Sequence, residues 1–208
     1  MAVVKCRVGI DFGTPDAAVV VVEPVLTETD ELTLDVVYNV RAAMLVSMAD
    51  LRAGLDRIAA IIAKAKERTL GSVEVYCDAS SLGRYAAELL RQKLREVTKT
   101  RLFEVQILGA GAVNANSDPQ KVPRIELLRN VVALLECEKI KIPTTLKELS
   151  HQLRALQIQI NENRKLQIEP AEGARDDLAM ALALAVWRPV HPFELEFPPR
   201  GPILRDPI

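Results

Sequence analysis

The sequence predicts an α/β domain. Its core is a mixed five-stranded sheet, three strands antiparallel and the next two parallel, flanked by helices and followed by a late β-hairpin. Three observations lead there. Three valine-rich runs, Val3–Ile10, Ala17–Glu23 and Leu32–Ala42, follow one another with no helical segment between them. From Ser47 to Leu108, helix-period and strand-period segments alternate. A helical segment separates the third strand from the fourth and the fourth from the fifth, and such crossovers join parallel neighbours.

Taken in order, Gly13-Thr14-Pro15-Asp16 is a turn that folds the first run onto the second as a hairpin. Ser47 caps an amphipathic helix in which Leu51, Leu55, Ile58, Ile61 and Ile62 recur at helical spacing through Arg68. Gly71 stops it, and Val73–Cys77 forms the fourth strand, ending on Asp78. A helix over about Leu82 to Val97 carries Leu89, Leu90 and Leu94 on one face, and Leu102–Leu108 is the fifth strand. A loop rich in Gly, Asn, Ser and Pro (Gly109–Pro119) leads to a helix over Lys121 to Glu136. Thr145 and Glu148 have capping-box spacing for a further helix through Ala155. Gln157–Ile160 and Lys165–Glu169 flank Asn161–Arg164 as the late hairpin, and a last helix runs from near Arg175 to before Pro189. One domain over 1–188 and a Pro-rich C-terminal tail over 189–208 are expected.

Composition narrows the function classes. The chain has 208 residues, 49% hydrophobic and 26% charged, enough apolar content for one sizeable core. A net charge of −1 gives no global basic field, so any contact with nucleic acid must use a local patch. Three scattered cysteines, Cys6, Cys77 and Cys137, argue against a disulfide framework or zinc site and for a reducing, cytoplasmic setting. The longest apolar run, Leu178 to Trp187, is too short to span a bilayer.

The acidic residues fall in a pattern. Asp11 ends the first strand, Asp78 ends the fourth, and Asp176-Asp177 open the last helix. Singly, each has an ordinary role as turn former, N-cap or first-turn residue. Jointly, carboxylates gathered at neighbouring strand ends repel one another unless cations hold them, and hard oxygen ligands suit magnesium or manganese. Two such ions about 4 Å apart activate water and stabilise the leaving oxygen in phosphodiester hydrolysis.

Four stretches, VGIDFGTPDAAVVVV, VEVYCDASSLGRYAAELL, KVPRIELLRNVVALLE and EGARDDLAMALALAVW, resemble the successive signatures of the nuclease domain of phage large terminase subunits. That domain is ribonuclease-H-like, and the resemblance runs to about Trp187. It implies an endonuclease dependent on two Mg2+ or Mn2+ ions that cuts concatemeric double-stranded viral DNA during packaging. It also implies a packaging ATPase and a portal as partners. Carried over by position, Asp11, Asp78 and Asp177 are metal ligands and Asp176 completes the catalytic cluster. Asp16, Lys121 and Arg175 are candidates for supporting or phosphate contacts, with a turn aspartate and a solvated helix-start lysine as the plainer alternatives. Arg175 stands where the family often has histidine. No Gly-x-x-x-x-Gly-Lys-Ser/Thr loop is present, so an excised domain and a stand-alone relative both fit.

Rival readings share the fold. Holliday-junction resolvases usually carry another carboxylate where this chain has Met180. Actin-like ATPases use a motif like Asp11-Phe12-Gly13-Thr14, but with a second subdomain and phosphate loop. A non-catalytic interaction module is distinguished by whether Asp11, Asp78 and Asp177 meet in space. For DNA, the local basic stretch is Arg84, Arg91, Lys93, Arg95, Lys99 and Arg101, with Arg91 and Arg95 sharing a helix face. Its alternative is a solvated face balanced by Glu88 and Glu96.

Overall fold

The computed structural model describes residues 5–28, 34–69, 73–80, 82–97, 100–109, 111, 113–114, 119–160 and 166–187. In chain order the elements are β1 (Cys6–Phe12), β2 (Asp16–Glu28), β3 (Leu34–Ser47), α1 (Leu51–Thr69), β4 (Val73–Asp78), α2 (Leu82–Val97) and β5 (Arg101–Leu108). There follow β6 (Gln120–Pro123), α3 (Arg124–Glu136), β7 (Ile140–Lys141), α4 (Lys147–Ala155), β8 (Leu156–Ile160), β9 (Leu166–Pro170) and α5 (Asp177–Val186).

The main sheet is ordered β6-β5-β4-β1-β2-β3-β7. β1, β2 and β3 form an antiparallel meander, while β4, β5 and β6 extend it in parallel from the other edge of β1. Mixed pairing and flanking helices follow the sequence reading. The strand number does not: the sheet has seven strands rather than five. The two additions are short. Gln120–Pro123 pairs with β5, and Ile140-Lys141 pairs with β3. The meander strands are also longer than their valine runs, because pairing continues through mixed sequence from Asp16↔Ser47 to Glu28↔Leu34.

Strand alternation sorts the core onto two faces. Val8, Ile10, Val19, Val75 and Cys77 pack under α1 and α2 against Leu55, Ile58, Ile62 and Leu90. Val20, Val22, Tyr76, Val105 and Val122 face the other way, toward α3, α4 and α5. Helix α5 is buried at every position from Leu178 to Val186, since it lies on the sheet and is covered by α3 and α4. That explains an apolar pattern all round the helix rather than on one stripe.

Two predicted caps are replaced. β3 runs through Ser47, and Asp50 caps α1 by accepting the Ala53 N–H at 3.1 Å. α4 starts at Lys147 with no side-chain cap, and Glu148 instead accepts from Gln152 Nε2 at 3.0 Å. The tail over 189–208 and the hairpin turn 161–164 lie outside the described residues. Among the described residues, no helix is long and apolar enough to cross a membrane.

Candidate active site

The parallel register of β1 and β4 pairs Ile10 with Cys77, which places Asp11 and Asp78 next to one another at the C-terminal ends of adjacent strands. Alternation turns both toward α5, on the side of Gly9 and Tyr76. At Gly9 the helix touches the strand directly: a Cβ there would stand 1.8 Å from the Ala181 carbonyl oxygen and 2.7 Å from the Ala185 nitrogen. From that contact, two strand residues span roughly 7 Å and one helical turn about 5 Å. The N-terminus of α5 thereby reaches the Asp11 end of the strand, and both Asp176 and Asp177 act electrostatically on Asp11.

The crowding shows in the proton affinities of the strand-end aspartates. Burial, foremost, and then the neighbouring charges of Asp78, Asp177 and Asp176 push Asp11 up to about 7, with Arg124 opposing. Burial also raises Asp78, against hydrogen bonds from Ser80 and Ile107 that favour its ionised form. Asp78 Oδ1 accepts the Ser80 N–H at 2.9 Å, and a Cβ at Gly83 would stand 2.4 Å from the Asp78 carbonyl oxygen. The turn after β4 is thus packed tightly behind this carboxylate.

Two arginines take the helix-start aspartates. Arg175 Nε donates to Asp177 Oδ2 at 2.6 Å, and its Nη1 lies 3.5 Å from Asp16 Oδ2. Arg124, the first residue of α3, donates to Asp176 Oδ2 and lies 3.6 Å from Glu169 of β9. As the side chains stand, no group of three His, Cys, Asp or Glu among the described residues is gathered tightly enough to hold an ion. The donor chemistry nonetheless suits one: Asp11 is raised first by its burial and then by the like charges of Asp78, Asp177 and Asp176, so all four carboxylates act on one region. Hard divalent cations such as Mg2+ and Mn2+ match that set.

Asp176 is the N-cap residue of α5 but makes no capping hydrogen bond. The capping oxygen comes from α4, where buried Gln152 Oε1 accepts the Leu178 N–H at 2.8 Å. Asp176 is therefore free of the structural duty its position implied.

Other predicted residues are distributed unevenly. Asp16 reaches the cluster's edge through Arg175. Lys121 does not open a helix; it is an exposed β6 residue on the face opposite Gln120 and Val122, away from the cluster. Arg84, in the first turn of α2 beyond Asp78, is exposed, as is Arg95. Arg91 is held by Glu104 at 2.6 Å and Glu88 at 3.0 Å. Cys77, beside Asp78, is pushed up by burial and is no nucleophile. Gly13 serves the turn itself, since a Cβ there would stand 2.8 Å from the Asp16 carbonyl oxygen.

Sequence reasoning missed Arg124, Glu169 and Gln152. For Arg124 a signal existed. A cation in the first turn of a helix opposes the helix dipole, so some other negative charge must hold it there. Glu169 and Gln152 carried none, because only tertiary packing brings β9 and α4 to the α5 N-terminus.

No family model and no curated protein matches the sequence. Solved structures do match in fold. The large terminase nuclease of thermophilic phage G20c with bound magnesium aligns with a TM-score of 0.61 at 18% identity, over 88% of this chain and 81% of that one. The fold is that of terminase large-subunit nucleases. The human cytomegalovirus terminase nuclease domain, soaked with Mn and bound to an inhibitor, shares this terminase-nuclease fold at a TM-score of 0.52 and 14% identity. It aligns over 87% of this chain and 81% of its own. Against the large terminase of another thermophilic bacteriophage the TM-score is 0.56 at 13% identity, with 90% of this chain but 42% of that one covered.

Proposed function

We propose that this protein is a divalent-metal-dependent endonuclease that cuts double-stranded DNA, as a terminase nuclease does when it cleaves concatemeric genomes during packaging. The main support is the row of Asp11 and Asp78 on adjacent strand ends, faced by Asp176 and Asp177 across a helix-on-glycine contact. The fold of terminase nucleases solved with cobalt, magnesium or manganese adds to it.

Asp11, Asp78 and Asp177 are the metal ligands in this reading, with Asp176 completing the catalytic set. Mg2+ or Mn2+, two ions when fully loaded, supplies water activation and neutralises charge on the scissile phosphate. The chain's own residues do the rest. The β1–β4 register fixes two carboxylates, Gln152 fixes the helix that brings the other two, and the turn after Asp78 anchors its carboxyl. Arg84 supplies a phosphate contact beside the site, so recognition is mainly of the backbone. A packaging ATPase and a portal are the expected partners, in the cytoplasm of an infected or lysogenic cell.

Supercoiled plasmid incubated with Mn2+ or Mg2+ tests this. Wild type should nick it, and Asp11→Ala and Asp177→Ala should not. Equal nicking by all three proteins removes the site assignment; no nicking by any favours a non-catalytic interaction module.

A further inference from the structure

We propose that Arg124 is a displaceable cation of the carboxylate cluster. It occupies Asp176 in the ion-free protein and, once divalent ions bind at Asp11, Asp78 and Asp177 and Asp176 turns toward them to complete the set, moves to a backbone phosphate of the bound DNA. The proposal rests on the metal-nuclease reading above and specifies how its ion-free site is held.

Its basis is the way Arg124 is partnered. It starts α3, where the positive end of the helix dipole disfavours a cation. What keeps it there is acidic: Asp176 on one side and Glu169, 3.6 Å away on β9, on the other. The guanidinium is only partly satisfied, because its Nε is buried with no hydrogen-bond partner. An unmet buried donor on a charged group costs free energy, so this pose is held by its carboxylates rather than by a complete set of bonds. A matching orphan lies on the same segment. Gln120, nearly fully buried, has an Oε1 that also lacks a partner, and its position on β6 is in line with Val105 and Asp78 on the α5 side of the sheet.

Asp176 is equally ready to exchange. It makes no capping bond, because Gln152 serves the helix end, so turning toward an ion costs only its pair with Arg124. The planar fork of a guanidinium binds carboxylate and phosphate in similar geometry, which lets one group trade the first for the second.

The test is Mn2+ titration calorimetry on wild type, Arg124→Gln and Arg124→Lys without DNA. It is followed by binding of a short duplex in calcium, with each protein's melting temperature as a check on folding. Arg124→Gln should bind Mn2+ about tenfold tighter than wild type and the duplex more weakly. Arg124→Lys keeps the charge but loses the fork, and should fall between the two on both measures. If wild type binds Mn2+ and Arg124→Gln binds it no more tightly, Arg124 is a fixed structural partner of Asp176 and the proposal is overturned while the nuclease reading stands. If Arg124→Gln does not fold, equal Mn2+ affinities of Arg124→Lys and wild type overturn it instead. Absence of Mn2+ binding in all three removes the metal-nuclease reading and this proposal with it.

Discussion

Gly9 and Ala181 meet backbone to backbone: a Cβ on Gly9 would lie 1.8 Å from the Ala181 carbonyl oxygen. No side-chain adjustment relieves that overlap, so Gly9→Ala must lift α5 off β1. The overpacking should cost on the order of 3 kcal/mol. It should also carry Asp176 and Asp177 away from Asp11. Urea denaturation should show the stability loss, and Mn2+ affinity should fall even at temperatures where the variant is fully folded. A Gly9→Ala protein as stable as wild type would mean that the helix does not rest on the strand this way.

Gln152 links α4 to the same helix by accepting the Leu178 N–H at 2.8 Å while donating to Glu148. Gln152→Met keeps the volume but leaves a buried N–H without an acceptor, at a cost of about 1–3 kcal/mol. We expect a lower denaturation midpoint with an unchanged denaturant slope, and weaker Mn2+ binding because the start of α5 is no longer pinned.

The contrast between Gln152 and Asp11 shows which parts of the site were legible in the sequence. Asp11, Asp78 and Asp177 stand out because local patterns, a strand meeting a turn and a helix start, mark where each lies. Their convergence needed the sheet order, which crossover handedness and the meander nearly determine. Gln152 and Glu169 reach the site only through packing of α4 and β9, and no local pattern marks a residue that caps another element. The missed strands share a cause. Gln120–Pro123 and Ile140-Lys141 are four and two residues long, too short for alternation to separate them from a helix start or a loop. Thr145 and Ser47 had capping chemistry, yet the backbone entered the helices later, at Lys147 and Leu51.

Asp11 gives the metal-free protein an inverted pH dependence. Its carboxyl is raised from 3.8 to about 7, first by burial and then by Asp78, Asp177 and Asp176. A raised folded-state value means the folded protein holds the proton after the unfolded chain has lost it. This contribution to stability is therefore fully present below about pH 4 and is lost as pH rises to 7. Its full extent is on the order of 4 kcal/mol. Melting in chelator from pH 4.5 to 7.5 should show this fall superposed on the other titrations. Asp11→Asn should flatten it, and adding Mn2+ at pH 7.5 should restore wild type but not the variant. A wild-type curve that superimposes on that of Asp11→Asn would mean the cluster is not electrostatically strained.

Arg84 and Arg91 share α2 but should differ in what their loss does. Arg91 is held between Glu104 at 2.6 Å and Glu88 at 3.0 Å, so its charge is already neutralised. Arg84 makes no ion pair among the described residues and lies one short turn beyond Asp78. If DNA runs past the strand ends, Arg84→Ala removes a phosphate contact, and the slope of log K against log salt should fall by about 0.9. Arg91→Ala should leave that slope unchanged and instead lower stability, by about 1 kcal/mol or less for the partly exposed pairs. Duplex binding in calcium at several salt concentrations separates the two. A change of slope with Arg91→Ala and none with Arg84→Ala would place the DNA along the body of α2 rather than across the ends of β1 and β4.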